Sequence, residues 1–374
     1  SLTTAAGTCR WEQNAFEVLG DLLEAFRLPA GMNLPGPVAA GLFGYLAYDL
    51  KDALESLPRS SVDDLNLPHL CLFAPSLLVV RERRSGRTYL CVPRRRSADG
   101  DTLETDLAAF EKIRRDPIPP RSGYCGDSDR LRSNFTPTAY MAAVARIREY
   151  IRSGDVYQVN LSQRFETDFS GRSYDLFRDL YARNPASFFA FVQAGDHQIV
   201  STSPERFILR EGSRVESRPI KGTRPRGATD DQDRALRDEL TASPKDDAEL
   251  SMIVDLVRND IGKVCRGGSV RVAEHKRLEA YRNVYHLVSV VTGELTPDCG
   301  SADLIAAVFP GGSITGCPTI RAMEIIDELE TCRRHVYCGS IGYVSFHDTL
   351  DLSIAIRTAI VSDGRIVFSV GGGV

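Results

Sequence analysis

Apolar residues recur along the chain with two spacings, a helical one and a strict alternation, which together predict helices interspersed with strands. Phe16, Leu19, Leu22, Leu23 and Phe26 share one helical face, so an amphipathic helix is expected near the start. Leu77-Leu-Val-Val80 and Tyr89-Leu-Cys-Val92 read as short strands. Thr136-Pro137 opens a second helix with Met141, Val144, Ile147 and Ile151 on one stripe, and Gly154 closes it. From Val156 to Phe165 the pattern alternates. Tyr157, Val159, Leu161 and Phe165 take one face, and Gln158, Asn160, Ser162 and Arg164 take the other. A wholly polar strand face meets either solvent or a polar site, and alternation alone does not choose between them.

Two hairpins and a third helix follow. Phe207-Ile-Leu-Arg210 and Arg214-Val-Glu-Ser-Arg-Pro-Ile220 flank a turn at Gly212-Ser213, a register that sets Glu205 opposite Ile220 or Lys221. Asp363-Gly364 is a two-residue turn between Leu352 to Val361 and Arg365 to Val370, which sets Arg357 opposite Val370 and Ile356 opposite Gly371. Ser243-Pro244, with Asp246 three residues past the cap, starts a helix that runs to Asp260. Leu250, Ile253, Val254 and Val257 form its buried stripe, with Glu249, Met252 and Leu256 on an adjacent face. Asp116 to Asp127 is rich in turn formers and is expected to divide an accessory portion, residues 1–120, from a chemical portion, residues 121–374.

Composition narrows the class. The 374 residues are 43% apolar and 26% charged, the make-up of an ordinary globular chain. No run approaches the roughly 20 apolar residues of a membrane span. Ser1 to Gly7 has no secretory pattern, so a cytoplasmic location is expected. A net charge of −4 leaves no footprint for nucleic acid. The nine cysteines are scattered without a Cys-x-x-Cys pair and read as reduced thiols. Arg81 to Arg84 and Arg94 to Arg96 read as solvated charges. The chain starts without Met and stops at Gly371-Gly-Gly-Val374, directly after a strand pattern, so both ends look incomplete.

Several residues are candidates for chemistry. Lys221 beside Glu205 reads as a cross-strand salt bridge or as an amine nucleophile with a carboxyl partner. A lysine nucleophile must be neutral, and only about one in a thousand is so at pH 7 without help. Arg218, Arg224 and Arg226 lie close in sequence and are expected to supply part of that help. Glu205 opposes it unless protonated, in which form it serves as a general acid. Glu249 is a lone carboxylate, either a Mg²⁺ ligand or a solvated charge. The loop Phe309 to Thr319 offers backbone amides to an anion or is a tight packing turn. It lacks the Gly-Lys-Ser/Thr ending of a nucleotide loop. Arg357 beside Gly371 to Gly373 reads as a carboxylate clamp or a surface strand residue. His286 lies in an apolar stretch and reads as a core histidine.

Taken in order, several segments resemble the chorismate-utilising enzymes. They are Gly154 to Gln163, Ser203-Pro-Glu-Arg-Phe207, Pro219-Ile-Lys-Gly-Thr223, Ile253 to Asp260, His286-Leu-Val-Ser289, Arg321-Ala-Met-Glu324 and Tyr337 to Gly342. The resemblance runs from about Gly41 to the end. It implies a large α+β fold, an interleaved β-sandwich with surrounding helices, in which residues 1–120 and 121–374 form one interleaved domain. It also implies Mg²⁺ as cofactor, chorismate as substrate and a glutamine amidotransferase subunit as the source of ammonia. Within the family, Lys at position 221 marks the aminodeoxychorismate synthase branch, whereas anthranilate and salicylate synthases carry Ala. Gln158 stands where the water-adding enzymes have a Lys. The implied roles are Lys221 as nucleophile on C2, Glu205 as the acid that helps expel the C4 hydroxyl, and Glu249 as metal ligand. Gln158, Gly222, Thr223, His286, Thr315, Tyr337, Arg357, Gly371, Gly372 and Gly373 are implied to line the substrate site. Thr319 departs from a family Lys, and the further metal-binding glutamates are expected beyond Gly373. The rival readings are anthranilate synthase component I and a non-catalytic chorismate-binding or amidotransferase-docking subunit.

Overall fold

A computed structural model describes residues 2–4, 7–10, 12–29, 32, 34, 36–94, 103–183 and 185–374. Arg95 and Arg96 of the basic run lie outside these. The three expected helices form where their caps sit. Asn14 Oδ1 accepts from the Phe16 amide at the start of Ala15–Ala25, Thr136 Oγ1 from Ala139 at Pro137–Ser153, and Ser243 Oγ from Asp246 at Pro244–Gly262. A further helix, Leu103–Arg115, was not anticipated. It buries no residue fully, so its apolar stripe is too thin to read.

Strands gather into two large sheets, of eight and nine strands among the described residues. The first runs Phe188–Gln193, His197–Ser203, Thr358–Ser362, Arg365–Gly373, Gln158–Gly171 and Gly316–Cys317. The path of the second runs Ile220–Pro225, Val284–Glu294, Arg214–Ser217, Arg206–Glu211, Thr349–Ile354, Ser340–Ser345, Gly41–Leu46 and Leu70–Phe73. Tyr45 and Ile341 from the second sheet meet Ile199 and Ile360 from the first in one apolar cluster. Helices cover the outer faces: Pro137–Ser153 and Thr319–Leu329 pack on Gln158–Gly171, while Pro244–Gly262 packs on Val284–Glu294 and Ile220–Pro225. The expected α+β sandwich is thus what this chain forms.

Two segments carry the chain from one sheet to the other, and they run side by side. Pro204-Glu205 links His197–Ser203 to Arg206–Glu211, and Ala355 to Arg357 link Thr349–Ile354 to Thr358–Ser362. Ser203 Oγ donates to the Ile354 carbonyl at 2.6 Å, the Ile354 amide to the Glu205 carbonyl at 3.1 Å, and the Thr202 amide to the Arg357 carbonyl at 3.0 Å. This double crossing corrects the single strand expected from Leu352 to Val361. A strand long enough for both sheets must break where it changes sheet, and Arg357 takes up the break with φ of 50°.

The hairpin registers hold at their turns. Glu211 pairs with Arg214 and Leu209 with Glu216, while Ser362 pairs with Arg365 and Ala359 with Phe368. At the far ends both ladders stop. Pro219 has no N–H to donate, and Ile220–Pro225 pairs instead with Val284–Glu294. Glu205 and Lys221 are therefore not ladder partners, and Arg357 is not a strand residue opposite Val370.

Candidate active site

The double crossing delivers Glu205 to the wall of a pocket of about 190 Å³, where Lys221, Tyr337, Gly371, Gly372 and Gly373 converge. Lys221 sits in Ile220–Pro225 opposite Leu287, directly before a register shift at Gly222. Gly222 has φ of +80°, and a Cβ there would meet Leu240 at 2.9 Å and Asp246 at 3.0 Å, so this bulge accepts only glycine without rearrangement. The shift re-aims the strand. Lys221 Nζ donates to the Ser313 carbonyl at 3.3 Å, and no ion pair joins it to Glu205 among the described residues. The simple salt bridge is not what forms.

Glu205 is buried at 5% exposure. Burial pushes its carboxyl above the ordinary value, against the opposing pull of a Ser313 hydrogen bond and the Lys221 charge. It is thereby held toward the neutral acid. The three arginines near Lys221 in sequence do not act as free cations. Arg218 pairs with Glu216 at 2.6 Å, Arg224 with Glu239 at 2.8 Å and Asp246 at 3.2 Å, and Arg226 with Asp233 at 2.7 Å. Each thus has an acidic partner of its own or, for Arg218, one shared with Arg206 and Arg214.

The polar face of Gln158–Gly171 turns inward. Gln158 and Ser162 are buried, the Asn160 amide donates to the Thr315 carbonyl at 2.8 Å, and Asn160 Nδ2 donates to the Ser313 carbonyl at 3.1 Å. Thr315 is fully buried and donates to the Gly311 carbonyl at 3.2 Å. It shapes the Gly-rich loop from beneath. Gly371, Gly372 and Gly373 pair with Ser162, Leu161 and Asn160. A Cβ at Gly371 would meet Leu161 O at 2.8 Å and one at Gly373 would overlap the Gln158 amide, while one at Gly372 would meet open space. The glycines thus let the wall close onto Gln158, whose Oε1 has no hydrogen-bond partner among the described residues.

His286 is buried in Val284–Glu294, and its Nδ1 lies 2.8 Å from Thr223 Oγ1. Burial and the Arg357 charge lower its pKa, which favours the neutral ring. Its Nε2 has no partner among the described residues. The Arg357 charge pulls the pKa of both Glu205 and His286 downward. Tyr337 is buried, and burial raises its hydroxyl pKa well above the ordinary range. Thr319 begins Thr319–Leu329 after Pro318, with no side-chain cap.

Arg334, which lines this pocket, and its partner Glu330 escaped sequence reasoning. Arg334 is 5% exposed and donates to Glu330 Oε2 at 2.9 Å and Oε1 at 2.7 Å, to the Ile314 carbonyl at 2.9 Å and to the Asn160 carbonyl at 2.7 Å. Glu330 in turn accepts from the Ser162 amide at 2.9 Å and hydroxyl at 2.7 Å. The pair stitches the Gly-rich loop to the inward strand. Its one signal in sequence is the i, i+4 spacing, which surface pairs share.

Glu249 lies elsewhere. It is half-buried on Pro244–Gly262, 3.7 Å from Lys245 Nζ, and is not among the pocket's lining residues. Among the described residues no group of three or more His, Cys, Asp or Glu side chains is placed to hold a metal ion. Among the described residues the donors present do not assemble a Mg²⁺ site.

A two-sheet α+β sandwich with an amine, a buried carboxyl of raised pKa and a glycine wall around one pocket defines an enzyme-like small-molecule site. A profile described as chorismate binding enzyme matches residues 5–374. The chain is 42% identical over 341 residues to aminodeoxychorismate synthase component 1 of Klebsiella aerogenes, covering 90% of this chain and 72% of that one. It is 39% identical over 371 residues to anthranilate synthase component 1 of Cereibacter sphaeroides, covering 97% and 74%. Among solved structures it is similar to anthranilate synthase component I from Streptococcus pneumoniae, with a TM-score of 0.87, 30% identity and coverage of 97% of this chain and 81% of that one. The chain belongs to the chorismate-binding enzyme family. No helix among the described residues is long and apolar enough to cross a membrane.

Proposed function

We propose that this chain aminates chorismate at C4 with ammonia, through a covalent intermediate on Lys221, to give 4-amino-4-deoxychorismate for p-aminobenzoate and folate synthesis. The observation that carries this reading is the meeting of Lys221 with the buried Glu205, whose pKa burial raises, at one pocket. Neutral Lys221 attacks C2, both ring double bonds shift by one position toward C4, and the C4 hydroxyl leaves as water with the proton of Glu205. Ammonia then adds at C4, both double bonds shift back, and the C2–N bond breaks to release Lys221. Two allylic displacements replace one poor direct substitution. Gln158, Gly222, Thr223, His286, Thr315, Tyr337, Arg357 and Gly371 to Gly373 bind and orient the ring and its carboxylates. In the cytoplasm, a glutamine amidotransferase subunit supplies the ammonia.

Relatives at similar identity carry the anthranilate synthase name, so product identity is the test. Chorismate, ammonium and Mg²⁺ with this enzyme are expected to yield 4-amino-4-deoxychorismate, detected as p-aminobenzoate after addition of a lyase. Anthranilate as the product overturns the reading.

A further inference from the structure

Ser313, in the short helical turn Gly312–Ile314 of the Gly-rich loop, reaches both Lys221 and Glu205. Its carbonyl accepts from Lys221 Nζ at 3.3 Å and from Asn160 Nδ2 at 3.1 Å, which occupies the two lone pairs of that oxygen. Its hydroxyl hydrogen-bonds the Glu205 carboxyl. Ser313 and Glu205 also line the same two spaces, the substrate pocket and a smaller one behind it. The turn that presents Ser313 is fixed from beneath. Thr315 Oγ1 donates to the Gly311 carbonyl at 3.2 Å, and Arg334 donates to the Ile314 carbonyl at 2.9 Å. A Cβ at Gly311 would meet Ile354 at 2.9 Å, and one at Gly312 would meet Leu256 at 3.2 Å, so the loop lies close against its supports.

We propose that Ser313 is a positioning residue for the reaction, its carbonyl holding the Lys221 amine and its hydroxyl the Glu205 carboxyl, so that one residue sets nucleophile and acid apart. The inference rests on the proposed function in that Lys221 and Glu205 are read there as nucleophile and acid. An amine and a carboxyl in one pocket ordinarily pair as ammonium and carboxylate, the two forms that cannot react. Ser313 offers each a neutral partner instead. A carbonyl accepts an N–H from an amine as well as from an ammonium, and a hydroxyl either donates to a carboxylate or accepts from a carboxylic acid. Both contacts therefore persist through the changes of protonation that the chemistry requires. As Nζ bonds to C2 it leaves the carbonyl, which Asn160 still holds in place.

The contact with Glu205 is the one a titration reads. Burial raises the Glu205 pKa, and the Ser313 hydroxyl is the strongest of the contacts that oppose it, ahead of Lys221, the Ile220 amide and Arg357. The other charged or titratable groups near Glu205 are Arg206 and Asp260 on the space behind it, and Arg334, Tyr337 and Cys338 on the pocket wall. Arg206, Asp260 and Arg334 each have an ionic partner, Asp351, Lys263 and Glu330.

Ser313→Ala removes the hydroxyl and leaves the carbonyl. The kcat/KM for chorismate is followed against pH with the full chain at a fixed concentration of free ammonia. Because the hydroxyl stabilises the carboxylate, its loss is expected to move the alkaline limb to higher pH by about 0.5 to 1, the worth of one hydrogen bond. In the same variant kcat is expected to fall by about 10- to 100-fold, as for a misplaced reacting group. Ser313→Cys keeps the volume with only a weak donor and should follow Ser313→Ala. Ser313→Thr keeps the hydroxyl, and should restore most of the rate with the limb at its wild-type position. A merely structural role would lower rate or thermal stability without moving the limb. A limb that stays in place or moves to lower pH in the Ala and Cys variants overturns the proposal, as does a folded Thr variant that follows them. Product identity, scored in the same reactions, reports separately on the proposed function, because the limb follows Glu205 whichever ring position is aminated. A wild-type profile with no alkaline limb removes Glu205 as the acid and overturns both.

Discussion

Glu205, which lines the pocket, and Glu330, which pairs with the pocket residue Arg334, are both buried carboxyls at 5% exposure, yet their surroundings differ. Glu330 accepts hydrogen bonds from Ser162 and from two nitrogens of Arg334, the full set of partners a buried charge requires. Glu205 has no ion pair among the described residues, and burial raises its pKa. One carboxyl fixes the pocket's shape. The other is left with a proton to give, because its site solvates charge poorly. The proposed chemistry rests on incomplete satisfaction at Glu205, and stability on complete satisfaction at Glu330.

Substitution should separate the two. Glu205→Gln keeps the shape and removes the proton, so turnover is expected to fall by about 10²- to 10⁴-fold, the usual worth of a positioned general acid. Stability should move the other way. The folded chain holds the Glu205 proton more tightly than the unfolded chain, so this contribution is whole below the ordinary value of 4.5 and is lost as pH rises through the raised folded value. Gln has no proton to lose. Thermal unfolding at a series of pH values is therefore expected to favour Glu205→Gln increasingly as pH rises, and a gap that narrows instead would contradict the assignment. The same titration predicts that wild-type turnover falls on the alkaline side as Glu205 ionises.

Glu330→Ala leaves Arg334 buried without its carboxylate and is expected to cost about 3 to 5 kcal/mol in denaturant unfolding. Thr223→Val leaves His286 without its Nδ1 partner, where Nε2 has none among the described residues. A cost of about 1 to 3 kcal/mol is expected in the same measurement. Lys245→Ala, which breaks only the 3.7 Å pair to Glu249 on the outer helix face, should change stability by less than about 0.5 kcal/mol. A larger loss there would show that Glu249 belongs to a tighter network than the described residues display.

How much of this was legible in sequence depends on distance from the sheet crossings. The caps at Thr136 and Ser243 and the registers next to Gly212-Ser213 and Asp363-Gly364 are local chemistry, and they came out as read. Glu205, Lys221 and Arg357 lie at the ends where both ladders break, so extrapolating the registers put them in strand pairs that do not form. Pro219 and the positive φ of Arg357 mark those breaks, but only the partner strand shows where each segment goes next. The polar face of Gln158 to Arg164 was visible as a pattern, and burial decided that it faces inward. Arg334 and Glu330 were not visible, since a spacing common on surfaces says nothing of depth. Leu103–Arg115, with no fully buried residue, left too faint a stripe to find.

The central claim is that Lys221 becomes covalently attached to the ring. Intact-mass measurement of the enzyme incubated with chorismate and without ammonia tests it most directly. The account predicts a species heavier by chorismate less one water, discharged when ammonium is added and missing from Lys221→Ala, which should also aminate far more slowly. An adduct that persists in Lys221→Ala, or a variant that aminates at the wild-type rate, would contradict it.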